Sequence, residues 1–127
     1  MSTHTQSGLC VLCVLLLCAC RNEATFGQRA SAVAGGDVRR GAQVIAQFHC
    51  GSCHSIPGIR GAEGMVAPPL EHFSQRSFIA GELPNTPENL VRWVKDPPAV
   101  EPGTAMPALG LSDQQARDVA AYLYSSG

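Results

Sequence analysis

The 127-residue chain predicts a small all-α domain with three main helices and long loops, and three observations carry that reading. Three segments space their apolar residues at a helical period. The stretches between them hold much of the 13 Gly and 9 Pro. No segment alternates apolar and polar residues as a half-buried strand does. The length suits one domain, and there are no internal repeats. Nine Lys plus Arg against ten Asp plus Glu give a net charge of −1. No basic patch points to nucleic acid, and the near balance disfavours strong electrostatic steering of partners.

The first helix runs from Asp37 to Phe48, with Asp37 as N-cap and Val38, Gly41/Ala42, Ile45 and Phe48 on one face. Thr86-Pro87-Glu88 opens the second: a capping hydroxyl, Pro at the first helical position and an acid in the first turn. Its inner face carries Leu90, Trp93 and Val94, and Asp96-Pro97-Pro98 stops it. Ser112 and Gln115 form a capping box for the third, which has Ala116, Val119, Ala120 and Leu123 as its apolar stripe. The intervening segments, Ser55 to Asn85 and Ala99 to Leu111, are long enough to need an ordering agent.

Residues 50 to 54 supply one. Cys50-Gly51-Ser52-Cys53-His54 is the attachment signature of c-type haem. The two thiols add to the porphyrin vinyl groups, and the histidine that follows is carried under the iron as its proximal ligand. One motif means one haem, held covalently through Cys50 and Cys53. A zinc site would want four protein ligands in paired spacings, and there is no second Cys-x-x-Cys after residue 20. A thioredoxin-like site would want a βαβ pattern around the motif, and none is visible. A planar apolar cofactor also compensates for a chain that is 45% apolar yet has few aromatics.

The second axial position is assigned to Met106, in Pro102-Gly103-Thr104-Ala105-Met106-Pro107. A methionine flanked by Pro and Gly outside any helix is poorly explained as core filling, and rigid flanks cut the entropy cost of bringing sulfur to iron. Met65, His72 and His49 are the competing candidates. Met65 follows His54 too closely, His72 suits a solvated loop position, and His49 is expected to point outward. The free ring nitrogen of His54 needs an acceptor, and the Pro68 carbonyl in Ala67-Pro68-Pro69-Leu70 is the expected one. Trp93 either packs at the haem edge or fills core.

Leu9 to Ala19 is an apolar run whose eleven residues rise only ~16 Å as a helix, too short to span a bilayer. It fits the apolar region of a signal peptide, although residues 1 to 8 lack Lys and Arg. Leu17-Cys18-Ala19-Cys20 resembles the lipobox of bacterial lipoproteins, which implies cleavage before Cys20 and lipid on its sulfur. The expected organisation is a signal peptide over 1–19, a lipidated Cys20 with a flexible tether over 20–36, and a folded domain over 37–127. Residues 21 to 36 would reach roughly 20–25 Å as a coil. Export to the periplasmic side of a bacterial membrane is expected, because haem attachment to such motifs takes place outside the bacterial cytoplasm. Arg21, rather than Asp, after the lipidated Cys favours the outer membrane.

The order of helix with Gly41, haem motif, Pro loop, Met-Pro loop and closing helix with Tyr122 resembles the class I cytochromes c. In that fold the first and last helices cross closely, a role the resemblance gives to Gly41 and Tyr122. Val66-Ala67-Pro68-Pro69-Leu70, the run Gly81-Glu82-Leu83-Pro84-Asn85-Thr86-Pro87-Glu88-Asn89-Leu90, and the Met106 loop are similar to the cytochrome c domain fused to subunit II of some bacterial haem-copper oxidases. The resemblance implies His54 and Met106 as axial ligands and Pro68 as the supporting carbonyl. Ala67 stands where that family usually has glycine. The copper-binding part of subunit II has no counterpart here, so the resemblance implies a free-standing lipoprotein relative.

The expected function is therefore that of a membrane-tethered one-electron carrier in a respiratory chain, not an enzyme and without a small-molecule substrate. Its partners would be redox proteins, an oxidase or a dehydrogenase. An electron-entry subunit bound to such a complex is the alternative. A haem sensor or peroxidase with an open distal site is the rival from another class.

Overall fold

The computed structural model describes residues 32–126. Its helices are α1 (Val38–Gln47), α2 (Pro87–Lys95), α3 (Pro97–Val100) and α4 (Asp113–Ser125). A two-stranded antiparallel ribbon joins β1 (Phe78–Ile79) to β2 (Leu83–Pro84), pairing Phe78 with Pro84 and Ile79 with Leu83. Single 3₁₀ turns cover Cys50–Ser52 and Phe73–Gln75.

The Asp37 carboxylate caps α1 by accepting from the Arg40 N–H (2.8 Å). The helix buries Gly41, Val44 and Ile45. Val38, on the expected stripe, is 37% exposed instead, because the contact with α4 follows the 41-44-45 ridge. A Cβ on Gly41 would lie 2.1 Å from the Asp118 carbonyl oxygen and 2.8 Å from Tyr122 Cβ. Backbone therefore meets backbone where α1 and α4 cross.

The capping box of Ser112 and Gln115 is formed in both directions and starts α4. Its expected stripe is buried, and so are Asp118, Ala121, Tyr122 and Tyr124, because α1 and α2 both pack on the helix. Asp118, in the middle of this surface, accepts from Arg40 Nε and Nη2 (2.9 Å each), the Asp37 N–H (2.8 Å) and Gln114 Nε2 (3.0 Å).

Thr86 caps α2 as expected, accepting from the Asn89 N–H (3.3 Å). The prolines at 97 and 98 end α2 and also start the single turn α3, with Asp96 as its cap. The sequence pattern had stopped at the break, because a four-residue helix leaves no periodicity to detect. The two-residue strands of the ribbon likewise leave no alternation to read. Asn85, between β2 and α2, binds this region together. Its amide nitrogen donates to the Phe73 and Arg76 carbonyls (2.9 Å each), and its amide oxygen accepts from the Tyr124 hydroxyl (2.7 Å).

The ribbon turns through Ala80 (φ 53°) and Gly81 (φ 81°), closed by Glu82 N–H to Ile79 carbonyl (2.9 Å). Two consecutive positive φ values make this a type I′ geometry, in which a Cβ is unwelcome. Ala80→Gly is expected to stabilise the haem-loaded protein by about 0.5–1 kcal/mol, after the entropy cost of glycine in the unfolded chain. Urea denaturation would register a higher midpoint.

At the other end, Val33 is buried, the Gly35 carbonyl accepts from Gln114 Nε2 (2.6 Å), and a Cβ on Gly36 would lie 2.7 Å from the Arg117 carbonyl oxygen. The packed body thus includes Val33, inside the stretch assigned to the tether. The expected signal peptide and lipidated Cys20 lie outside the described residues. No described helix is long and apolar enough to cross a membrane.

Candidate haem pocket

The end of α1 delivers the motif. Phe48 closes the helix, and His49 turns the backbone into the left-handed region (φ 55°). The 3₁₀ turn that follows carries Cys50, and the N–H groups of Cys53 (3.3 Å) and His54 (3.1 Å) both donate to the Cys50 carbonyl. The two thiols and the imidazole are thus set on one turn of backbone. Both thiols are free, and burial pushes that of Cys50 upward in pKa.

Two glycines let a loop lie flat on this turn. A Cβ on Gly51 would sit 2.5 Å from Ala62 Cα, and one on Gly64 would sit 2.5 Å from the Cys53 carbonyl carbon. Gly64 N–H donates to the carbonyls of Gly51 (3.0 Å) and His54 (3.2 Å). Nothing in the sequence pattern singled out these contacts, since they join residues whose proximity only the fold creates.

His54 Nδ1 lies 2.7 Å from the Pro68 carbonyl oxygen. A carbonyl can only accept, so Nδ1 is the donor in this bond and Nε2 is the ring nitrogen it leaves for a ligand. The Pro68 segment is itself anchored: Ala67 N–H donates to the Cys53 carbonyl (2.9 Å) and Leu70 N–H to the Ser55 carbonyl (2.8 Å). Ser55 Oγ also donates to Glu71 (2.6 Å), which holds that carboxyl below its usual pKa. Arg76 Nη2 donates to the Pro69 carbonyl.

Cys50, Cys53, His54 and Met106 all line one cavity of about 430 Å³. Leu70, Phe73, Ile79 and Trp93 give it apolar walls. Met106 is half-buried; its N–H donates to Thr104 Oγ1 (3.2 Å), while Thr104 N–H donates to the Glu101 carbonyl (3.0 Å). The Tyr122 hydroxyl donates to the Pro57 carbonyl (2.5 Å) and its burial raises the phenol pKa, tying α4 to the loop after the motif.

The other sequence candidates separate on position. Met65 is 95% exposed and does not line the cavity. His72 is exposed, precedes the second 3₁₀ turn without a side-chain capping bond, and does not line the cavity either. His49 is exposed but does line the cavity, where an outward position had been expected. Trp93 is 8% exposed and both packs in the core and forms cavity wall. Phe73, Ile79 and Arg76 were not foreseen as lining, because the ribbon and 3₁₀ turn that carry them have no sequence periodicity.

The donor set suits haem c: two adjacent thiols, an imidazole with one nitrogen free, a thioether and apolar walls around one cavity. Among the described residues no group of three or more His, Cys, Asp and Glu could hold a metal ion, so these residues by themselves give zinc no donor set.

The family model for cytochrome c matches residues 38–127. Cytochrome c oxidase subunit 2 of Alkalihalophilus pseudofirmus is 37% identical over 87 residues, covering 68% of this chain and 25% of that protein. Subunit 2 of Bacillus sp. strain PS3 is 34% identical over 92 residues, covering 69% and 26%. That of Bacillus subtilis is 33% identical over 89 residues, covering 67% and 25%. The chain spans about a quarter of the length of these relatives. With the match running from the first residue of α1 through α4, and with the donor set gathered in one cavity, the chain belongs to the cytochrome c family of haem-binding electron carriers.

Proposed function

We propose that this protein carries a single haem c, bound through thioethers at Cys50 and Cys53, with its iron between His54 Nε2 and Met106 Sδ. When bound, the haem supplies a one-electron iron couple. The observation that carries the reading is that His54 and Met106 line the same apolar cavity, with His54 Nδ1 already engaged by Pro68 (2.7 Å). That hydrogen bond keeps the proton on Nδ1 and orients the ring. Trp93, Phe73 and Ile79 supply apolar wall to the cavity. Methionine ligation and burial together favour a high reduction potential. Two filled axial positions leave no site for a substrate, so the protein is a carrier and not an enzyme.

Its place is the periplasmic side of a bacterial membrane, exported by residues 1–19 and tethered by lipid on Cys20. The relatives are named as oxidase subunits 2, which supports a terminal oxidase as electron acceptor, reached either by shuttling or as a bound entry subunit. Redox encounters of the shuttling kind use small, transient contacts.

The oxidised protein, made in a host that attaches c-type haem, is expected to show a methionine–iron(III) charge-transfer band in the near infrared. Met106→Ala should lose the band completely, lower the reduction potential and open the ferrous iron to carbon monoxide. A wild type without the band, or one that takes up carbon monoxide rapidly at neutral pH, would move the reading to a sensor or peroxidase.

A further inference from the structure

One wall of the cavity is built from pieces too short to hold themselves in place. Leu70, Phe73, Arg76, Ile79 and Ala80 all line it, yet they ride on a single 3₁₀ turn and a ribbon of two-residue strands. Elements of that length supply few internal bonds. The turn is closed by Gln75 N–H to the His72 carbonyl (2.9 Å) and Arg76 N–H to the Phe73 carbonyl (3.2 Å). On either side of it His72 (φ 51°) and Ala80 (φ 53°) are non-glycine residues in the left-handed region, which persist only where their surroundings hold them.

Asn85 does the holding. Its backbone N–H donates to the Ser77 carbonyl (3.0 Å). The side-chain amide nitrogen donates to the carbonyls of Phe73 and Arg76 (2.9 Å each), so it grips the turn at its first residue and at the residue that ends it. The amide oxygen accepts from the Tyr124 hydroxyl (2.7 Å). Tyr124 is 1% exposed on α4, and its ring meets that of Phe73 edge-on with centroids 6.2 Å apart. The tie therefore runs from the cavity wall to the last helix. It needs two donors on one atom with an acceptor beside them, a set that the Asn amide supplies at this reach. An Asp would turn an oxygen toward two carbonyls, and a Leu of similar volume would offer them nothing.

We propose that Asn85 is a positioning residue for the redox centre, setting the reduction potential through the wall residues Phe73 and Arg76. The proposal rests on the carrier reading above. Asn85 does not itself line the cavity, so its influence arrives through the residues it holds. Oxidised iron carries one more positive charge than reduced iron, and water stabilises that charge. A wall that gives way admits water and lowers the potential.

The test compares the haem-loaded protein with Asn85→Leu, Tyr124→Phe and Asn89→Ala. Asn89 is the control, because its amide donates to the Pro84 carbonyl (3.0 Å), which does not line the cavity. Asn85→Leu should shift the ferric–ferrous equilibrium about tenfold toward ferric, about 59 mV for one electron. Its Arg76 amide should exchange with solvent about tenfold faster, ahead of the α4 amides that report global opening. Tyr124→Phe keeps both amide donations but frees the tie from α4. It should move both readouts the same way by about threefold, and it carries the test alone if Asn85→Leu does not accumulate. Asn89→Ala should leave both as in wild type. A wild-type potential in the Asn85 and Tyr124 variants would overturn the proposal and leave Asn85 a stabilising residue only. So would a lowered potential with wild-type exchange at Arg76, since the amide dipole rather than the wall would then be acting. The near-infrared methionine band, measured on every variant, keeps the ligation separate. Its absence from wild type would sink the carrier reading, whereas its loss in Asn85→Leu alone would overturn this proposal, the ligand and not the wall having moved.

Discussion

Gly41→Ala is expected to destabilise the haem-loaded protein by about 3 kcal/mol or more, enough to keep it from accumulating in a host that attaches haem normally. The added Cβ would lie 2.1 Å from the Asp118 carbonyl oxygen, and that neighbour is helix backbone. A flexible side chain could swing aside, but here α1 and α4 must separate. Separation breaks more than one contact. Arg40, the adjacent residue, holds both oxygens of Asp118, and Tyr122, whose Cβ is 2.8 Å from the new atom, reaches the haem loop at Pro57. Domains of this size hold only about 5–15 kcal/mol in all. The guanidinium midpoint of whatever protein is recovered, compared with wild type, measures the loss. An alanine variant that unfolds at the wild-type midpoint would show that the two helices do not meet backbone to backbone.

Asp118 is expected to make stability depend on pH in the acid range. Burial alone would push its pKa up, but donation from Arg40, the Asp37 N–H and Gln114 outweighs burial and holds the carboxyl below its ordinary value. A carboxylate whose folded pKa is depressed stabilises the fold above the unfolded pKa of about 3.9, and that contribution is lost as pH falls through the folded value. Asp118→Asn should flatten this acid limb and cost about 2 kcal/mol at neutral pH, the loss of charge-assisted bonds around a buried acceptor. The figure is kept low because the Arg40 side chain is 52% exposed and can return to water. Urea titrations of both proteins between pH 3 and 7 test this; parallel pH profiles would remove Asp118 from the acid limb.

Helix starts were legible in the sequence because their chemistry is local. Thr86 with Pro87, and Ser112 with Gln115, satisfy N–H groups within three residues, so the pattern and the cap are the same fact. The Pro68 carbonyl could be named in advance because a proline pair leaves few places for a donor to go, and His54 lies against it. What stayed hidden depends on distance along the chain. Gly51 and Gly64 are required by an approach that neither neighbourhood announces. Asp118 breaks the apolar stripe of α4 as a carboxylate would on a solvated face, yet it is 2% exposed, since its partners come from α1 and the segment before it. Asn85 lay inside a run conspicuous for its composition, and only the fold shows it bonded to Phe73, Arg76 and Tyr124.

The α1–α4 crossing also sets an order of events. Arg40 and Asp118 are separated by 78 positions, so the seam they close is among the most non-local in the domain. Contacts of that span bear the largest loop-closure entropy, which slows any folding that waits on them. A chain delivered N-terminus first has its cysteine motif in the open well before α4 arrives to seal the seam. The seam cannot close until both ends of the domain are present, so the last helix is the piece on which closure of the fold depends.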